Sequence, residues 1–198
     1  MKWFVLLGLC VLMGCSGGDS CVLEGQLPAG SYEGEQVYLV PLQGATQENV
    51  DSVAVEQGTF RFVRESPQPQ LFILRMRPQL RLDIQELLVV VEKGEVTVRL
   101  DSVSVARGTP LNDTLQEWKE QKAEWDATQR WLRSIFPSAN AEQQEEISRR
   151  KEEIMQKSST YNYTFVKNNK DNVVGAFVYS MIKGSLSPEQ IETLGMPE

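Results

Sequence analysis

Histidine is absent from the 198-residue sequence, and cysteine occurs only three times. Histidine is the commonest general base at neutral pH, a frequent ligand of transition metals and the usual partner of a serine or cysteine nucleophile. A chain without histidine lacks all three kinds of site. We therefore expect a protein that is not an enzyme, with no catalytic residue, no bound metal ion and no other cofactor.

A hydrophobic run long enough to cross a bilayer is also missing. Residues 1–14 (MKWFVLLGLCVLMG) have one lysine followed by an apolar stretch. This stretch holds roughly ten apolar residues, whereas a spanning helix needs about 20. A short apolar run behind a cation is typical of a secretory signal. We expect residues 1–14 to be a signal peptide.

The end of this stretch, Leu12-Met13-Gly14-Cys15, resembles the lipobox of bacterial lipoproteins. An aliphatic residue stands three positions before the cysteine, and glycine stands directly before it. The resemblance implies cleavage after Gly14, a diacylglycerol on the Cys15 thiol and an acyl chain such as palmitate on the new amine. Two or more acyl chains hold a protein lastingly in a bilayer. The alternative is an ordinary signal peptide, in which Cys15 carries no lipid.

The residues behind the cysteine indicate where the protein resides. Residues 15–20 (CSGGDS) predict a short flexible tether. The tether is expected to join the protein to its partner, the lipid bilayer, through acylated Cys15. Ser16 does not resemble the signal for retention in the inner membrane, so we expect an outer-membrane lipoprotein of the cell envelope. No acidic run follows Cys15 directly, which favours the periplasmic face over the cell surface.

Positively charged residues are fewer than negatively charged ones: the sequence has 20 Lys and Arg residues and 27 Asp and Glu residues, which gives a net charge of −7. A protein that binds phosphate backbones relies on an excess of Lys and Arg. We therefore expect no nucleic-acid partner. The charge serves solubility instead.

Alternating apolar and polar residues predict short strands between Cys21 and Arg107. Glycines in the pairs Gln57-Gly58 and Lys93-Gly94 suit hairpin turns that need a positive φ. Short antiparallel strands joined by tight turns are typical of a β-sandwich. The candidate strands are Cys21–Gly25, Gln36–Pro41, Ser52–Val55, Thr59–Val63, Leu71–Met76, Leu87–Glu92, Glu95–Leu100 and Val103–Arg107, with a further one at Leu80–Ile84.

The pattern changes to a helical period after Gly108. Thr109-Pro110 provides an N-cap and a proline at the first helical position, and Pro137 ends the predicted helix. A second helix is predicted to begin near Asn140, followed by a short apolar segment at Val173–Ile182. Ser187-Pro188-Glu189-Gln190 forms a capping box for a last short helix.

These patterns predict an α+β protein. Its parts are a signal peptide at residues 1–14, a lipidated tether at 15–20, an all-β module at 21–108 and a helical region at 109–198. The β module is expected to be an antiparallel, sandwich-like structure, and the helical region forms the C-terminal half.

Six short segments, in this order and spacing, together resemble domain of unknown function 4369, found in lipoproteins of Gram-negative gut bacteria. They are Leu23-Glu24-Gly25, Gln36-Val37-Tyr38-Leu39, Asp51-Ser52-Val53 with Gly58-Thr59-Phe60-Arg61-Phe62, Val89–Gly94, and Gly108-Thr109-Pro110-Leu111-Asn112. The resemblance covers about residues 21–115 and implies a β-rich envelope module with no established activity. In many members a thioredoxin-like domain follows. We expect this chain to lack that domain, since its sequence contains no C-x-x-C pair.

The remaining candidates for a functional site are one thiol and three indoles. Cys21 has no cysteine partner in the mature chain, and its position in the alternation predicts a buried core residue. Trp118 and Trp125 lie on the seam of the first long helix, and Trp131 lies beside it. Packing in the core is one interpretation of these indoles, and binding of a ligand is the other. Trp131 is expected to be the most exposed.

We thus expect a membrane-anchored, non-enzymatic binding or accessory module whose partner is an envelope protein, a peptide or a glycan. The alternative is an accessory partner of a separate thioredoxin-like thiol–disulfide system.

Overall fold

The computed structural model describes residues 19–28, 30, 32–77 and 84–196. The predicted signal peptide, the predicted lipid-attachment residue Cys15 and all but the last residue of the candidate strand Leu80–Ile84 lie outside the described residues. The described part of the chain consists of eight strands followed by four α-helices. The predicted α+β class is confirmed.

The strands form two sheets of four strands each. Sheet 1 has the order β4-β1-β7-β8, and sheet 2 has the order β3-β2-β5-β6. The strands are β1 (Ser20–Gln26), β2 (Gln36–Pro41), β3 (Asp51–Ala54), β4 (Thr59–Glu65), β5 (Gln70–Met76), β6 (Leu87–Val91), β7 (Gly94–Arg99) and β8 (Val105–Arg107).

The pairing differs from the prediction at one place. All pairs in the two sheets are antiparallel except β1 with β7, which is parallel, with Leu23 opposite Val96. A parallel pair requires a long connection between its strands, and the whole of β2 to β6 supplies it here. Sheet 1 is therefore a mixed sheet rather than a purely antiparallel one.

The last predicted strand also begins later than expected, because β8 starts at Val105 while Val103 is 64% exposed. The Ser104 hydroxyl donates to the Gln85 carbonyl at 2.7 Å and accepts from the Asp101 amide at 3.1 Å. A serine that bonds to nearby backbone groups offers the chain an alternative to a strand ladder. The segment from Asp101 to Ser104 is accordingly a turn.

The core of the sandwich lies between the two sheets, where alternate residues of the strands are buried. Leu23, Leu39 and Leu74 are fully buried in it. Gly25 is required at its position, since a Cβ there would lie 1.9 Å from Cζ of the Phe60 ring. The aromatic ring of Phe60 fills the space that a side chain at residue 25 would take.

Strand β6 is buried on both faces. Leu87, Val89 and Val91 belong to the core between the sheets, whereas Val90 and the partly buried Leu88 pack on the helices. The unbroken apolar run LLVVV is typical of a strand covered on both sides. The helices thus form a third layer on the outer face of sheet 2.

The helices are α1 (Pro110–Ile135), α2 (Ala141–Asn169), α3 (Val173–Ile182) and α4 (Pro188–Leu194). The predicted starts of α2 and α4 are confirmed, since Asn140 and Ser187 each form a reciprocal capping box. The segment Val173–Ile182, predicted only as apolar, is a helix capped by Asn172. None of the helices in the described ranges combines the length and the apolar character needed to span a membrane.

The distal halves of α1 and α2 have a thin core. Between residues 119 and 165, only Leu132 and Ile147 are buried. Trp118 and Val166, just outside this range, belong to the cluster that joins the helices to sheet 2. We call residues 124–157 the helical arm, because its two helices are held mainly by each other.

Candidate functional site

The junction between the β-sandwich and α1 carries the most buried polar group of the helices, the Asn112 side chain, which is 1% exposed. Its Oδ1 accepts from the Val90 amide at 2.9 Å, and its Nδ2 donates to the Val90 carbonyl at 2.7 Å. Strand β6 is the last strand of sheet 2, so one of its edges has no neighbouring strand, and the amide and carbonyl of Val90 bond to Asn112 at that edge. Asn112 therefore satisfies an open sheet edge as a further strand would.

A carboxylate twenty residues upstream caps the start of α1. Glu92, which is 8% exposed, accepts from the amides of Leu111 at 2.8 Å and Asn112 at 3.2 Å. Thr109 occupies the N-cap position as predicted, but its side chain does not cap the helix. Its hydroxyl accepts from Nδ2 of Asn112 instead, at 2.8 Å. A negative charge at a helix N-terminus is stabilised by the free amides and the dipole there.

The third turn of α1 is joined to β8 through an exposed ion pair. The Arg107 guanidinium donates to both carboxylate oxygens of Glu120, at 2.9 and 2.8 Å. Gln116 donates to the same carboxylate at 2.9 Å and accepts from the Ala106 amide at 3.3 Å. These bonds hold the Glu120 carboxylate beside β8 and lower its pKa below the ordinary value, with Gln116 making the largest contribution.

Lys119 is the one lysine of the described residues whose pKa departs clearly from its ordinary value. Its Nζ donates to the Leu88 carbonyl at 3.3 Å, on the same open edge of β6 that Asn112 covers. Burial lowers the pKa of Lys119 to about 8, against a partial opposing effect of Glu120. The helix pattern alone gave no sign of this, since a lysine between Trp118 and Glu120 is ordinary on a solvated face.

Cys21, the one cysteine of the described residues, is unsuited to redox chemistry. Cys21 is fully buried and free of any disulfide, as the strand alternation predicted. Burial raises the pKa of its thiol, and the nearby Glu92 charge adds to that rise. Reactive cysteines need the opposite, a lowered pKa and access to solvent. Cys21 is a core residue of sheet 1.

The structure separates the three candidate indoles. Trp118 is 4% exposed, lies against the rings of Phe165 and Phe177, and donates through Nε1 to Asn162 at 2.9 Å. It is a packing residue of the junction. The three side chains line three different cavities, so they do not make up one aromatic surface.

Trp125 and Trp131 lie on the arm. Trp125 is partly buried and meets the Tyr161 ring edge to face, with 5.2 Å between centroids. Trp131 is 53% exposed and borders an open groove of about 720 Å³ between the end of α1 and the start of α2. Ile135 and Ile147 contribute to the apolar wall of this groove, and Glu146 and Arg150 contribute to its charged rim.

The paired carboxylates of α2 form a solvated ion network. Glu146 accepts from Arg149 and Arg150, and Arg149 also reaches Glu153 at 2.6 Å. The hydrogen bond from Arg149 lowers the pKa of Glu146 more than any other contact. Both side chains of each pair are exposed, as is usual for ion pairs spaced three and four residues apart on a helix. Within the described ranges, no group of three potential metal ligands comes together.

Comparison with protein families finds a match over part of the chain. The model of the family described as a domain of unknown function, DUF4369, matches residues 21–115. The matched segment covers the eight strands, except Ser20 at the start of β1, and the first six residues of α1, and it includes Glu92 and Asn112. No curated protein and no solved structure matches the chain.

Proposed function

We propose that this chain, whose residues 21–115 match the model of the DUF4369 family, is a lipid-anchored, non-enzymatic binding module of the cell envelope. The proposal has two parts, an anchor at Cys15 and a binding surface at the end of the helical arm. The groove beside exposed Trp131 is the observation that carries the second part.

The anchor is supported by the order of the segments. The lipobox-like Leu12-Met13-Gly14-Cys15 is followed by four residues and then by β1, which begins at Ser20. Five residues span at most about 18 Å when extended. A lipid on Cys15 would therefore keep the N-terminal end of β1 close to the membrane surface. We expect the outer membrane, with the module facing the periplasm.

Metabolic labelling with an alkyne-bearing palmitate tests the anchor. We expect the wild-type chain to incorporate the label and Cys15→Ala to lose it, because the acyl chains attach at that residue. Cys10→Ala is the matched control, since Leu9 before it does not suit the −1 position, and it should label normally. Equal labelling of Cys15→Ala and the wild type would refute the anchor.

The binding surface is supported by the exposure of large apolar groups on an otherwise charged arm. An exposed tryptophan offers a rigid contact area at low entropic cost and is frequent at binding hot spots. The groove is lined by apolar side chains in its wall and by both signs of charge at its rim. Such a surface suits a segment of a partner protein, which can supply an apolar side chain flanked by charges.

Photo-crosslinking in living cells tests this surface. A photoreactive amino acid in place of Trp131 should give a discrete adduct with an envelope protein. The same amino acid in place of Met155, which is also exposed at 58% but lies outside the groove, should not. Identical adduct patterns from the two positions, or none from position 131, would contradict the proposal. An adduct with a thioredoxin-like protein would make the chain an accessory of a thiol–disulfide system.

A further inference from the structure

A cavity beside Lys119 lies between the open edge of β6, the middle of α1 and the end of α3. Its volume is about 330 Å³, at the lower end of the range of roughly 300–1,000 Å³ that is usual for small-molecule sites. Leu88, Trp118 and Phe177 contribute apolar surface, and Met181 lies at the rim with 52% exposure. It is separate from the groove at Trp131.

Lys119 is the cation of this cavity that has no acidic partner. Its neighbours are already engaged: Glu120 is held by Arg107 and Gln116, and Lys122 pairs with Asp126. Within the described residues, no carboxylate oxygen lies within 4.0 Å of Lys119 Nζ. An ammonium has three donors, and the Leu88 carbonyl takes one of them.

We propose that this cavity binds a small monocarboxylate with an apolar chain, whose carboxylate pairs with Lys119 and whose chain lies along Leu88, Trp118 and Phe177. One partly buried ammonium beside the apolar side chains of Leu88, Trp118 and Phe177 matches a single negative charge with an apolar tail. Glu86, Glu120 and Asp126 also line the cavity, and their charges disfavour a doubly charged phosphate.

The charge state of Lys119 makes the binding dependent on pH. Because burial lowers the pKa of Lys119 to about 8, the amine loses its charge in a range where ordinary carboxyl, guanidinium and lysine groups keep theirs. The other charged groups around the cavity are Glu86, Arg107, Glu120, Lys122 and Asp126. A bound carboxylate stabilises the ammonium, so affinity falls as the pH rises above 8.

Titration of the protein with octanoate tests the site. Binding is monitored by calorimetry and by the intrinsic fluorescence of the protein. The protein used for the titration consists of residues 16–198, which include every described residue, in a buffer without detergent. We expect the dissociation constant of the wild type to rise at least tenfold from pH 7 to pH 9.5. Octanol has the same tail without the charge and acetate has the charge without the tail, so both should bind at least tenfold more weakly at pH 7.

Two variants assign the binding to Lys119. Lys119→Met should weaken octanoate binding at least tenfold at pH 7 and abolish the dependence on pH. Lys157→Met removes the same charge from an exposed position on α2 and should keep both properties. No binding of octanoate at millimolar concentration, equal binding of octanol, or unchanged binding by Lys119→Met would each overturn the proposal. None of these outcomes bears on the adducts formed from position 131.

Discussion

At the scale of single residues, the side chains that matter most to this fold are polar ones placed where the two halves meet. Asn112 and Glu92 are both buried, and both serve backbone amides that regular secondary structure leaves without a partner. Within the described residues, no buried side-chain nitrogen or oxygen lacks a hydrogen bond. The buried polar side chains of the junction are thus all hydrogen-bonded, and removing one of them leaves its partners unpaired.

Asn112→Leu keeps the size of the side chain and removes its hydrogen bonds. The Val90 amide and carbonyl would remain buried without partners, and an unpaired buried group costs about 1–3 kcal/mol. We expect the free energy of unfolding to fall by about 2–4 kcal/mol, measured by urea denaturation. Asn162→Leu is the control, since it removes mainly the bond from Trp118 and should cost less than half as much. Equal losses for the two variants would contradict the role of Asn112.

Lys119 makes stability depend on pH in a defined direction. Its pKa is lowered in the folded state to about 8, so between pH 8 and about 10.4 the unfolded chain binds more protons than the folded one. Stability should rise with pH in that window. Lys119→Met should be more stable than the wild type at pH 7, by about 1–2 kcal/mol, and the difference should vanish above pH 10.5. Thermal unfolding at pH 7 and pH 10.5 measures this, and a constant difference would contradict it.

At the scale of elements, α3 approaches the end of α2 so closely that its first turn has no room for a side chain at residue 175. A Cβ at Gly175 would lie 1.9 Å from the carbonyl oxygen of Asn169. The helix cap formed by Asn172, whose Oδ1 accepts from Gly175 at 3.0 Å, fixes the same contact. The backbone of α3, rather than its side chains, meets α2 at this point.

Gly175→Ala should therefore separate α3 from α2, although alanine favours a helix more than glycine does by about 1 kcal/mol. We expect a net loss of about 1–3 kcal/mol, as is usual when extra atoms are forced into a packed site. Gly184→Ala is the matched control, because no atom lies within 4 Å of a Cβ at that position, and it should be neutral or stabilising. Urea denaturation of both variants tests this; a stabilised Gly175→Ala would refute the close contact.

Local patterns predicted most elements, and contacts between distant parts of the chain account for the differences. The starts of α2 and α4 follow from the capping residues Asn140 and Ser187, which act within four residues. The parallel pairing of β1 with β7 joins segments that no local pattern links. Lys119 was missed as a site residue for the same reason, since its burial depends on β6 and α3. The exposure of Trp131 agrees with its position beside the apolar seam.

At the scale of the whole molecule, one face of the family-matched segment is buried by residues that lie outside that segment. Val90, Leu88 and Leu71 lie on the outer face of sheet 2, where residues of α3 such as Val174 and Val178 cover them. The family match ends at residue 115, well before α3. The β-sandwich and the helical layer share this apolar cluster, so each depends on the other for its burial.

A fragment of residues 16–109 should expose that face. We expect it to bind a hydrophobic dye such as ANS and to unfold at least 10 °C below the full chain of residues 16–198, or without a cooperative transition, because the loss of several buried side chains costs about 1.5–3 kcal/mol each. Replacing Leu71 and Leu88 in the fragment by threonine should reduce dye binding. A fragment as stable as the full chain, without dye binding, would show that the helical layer is dispensable.

The position of β1 has a mechanical consequence. Any pull on the segment before Ser20 enters the molecule through a strand that lies between β4 on one side and β7 on the other. A force along β1 loads the hydrogen bonds to β4 and to β7 simultaneously, in shear, so that these bonds do not break one after another. If the proposed anchor and the proposed partner of the arm are both engaged, a force between them would load β1 in the direction in which the sheet resists most strongly.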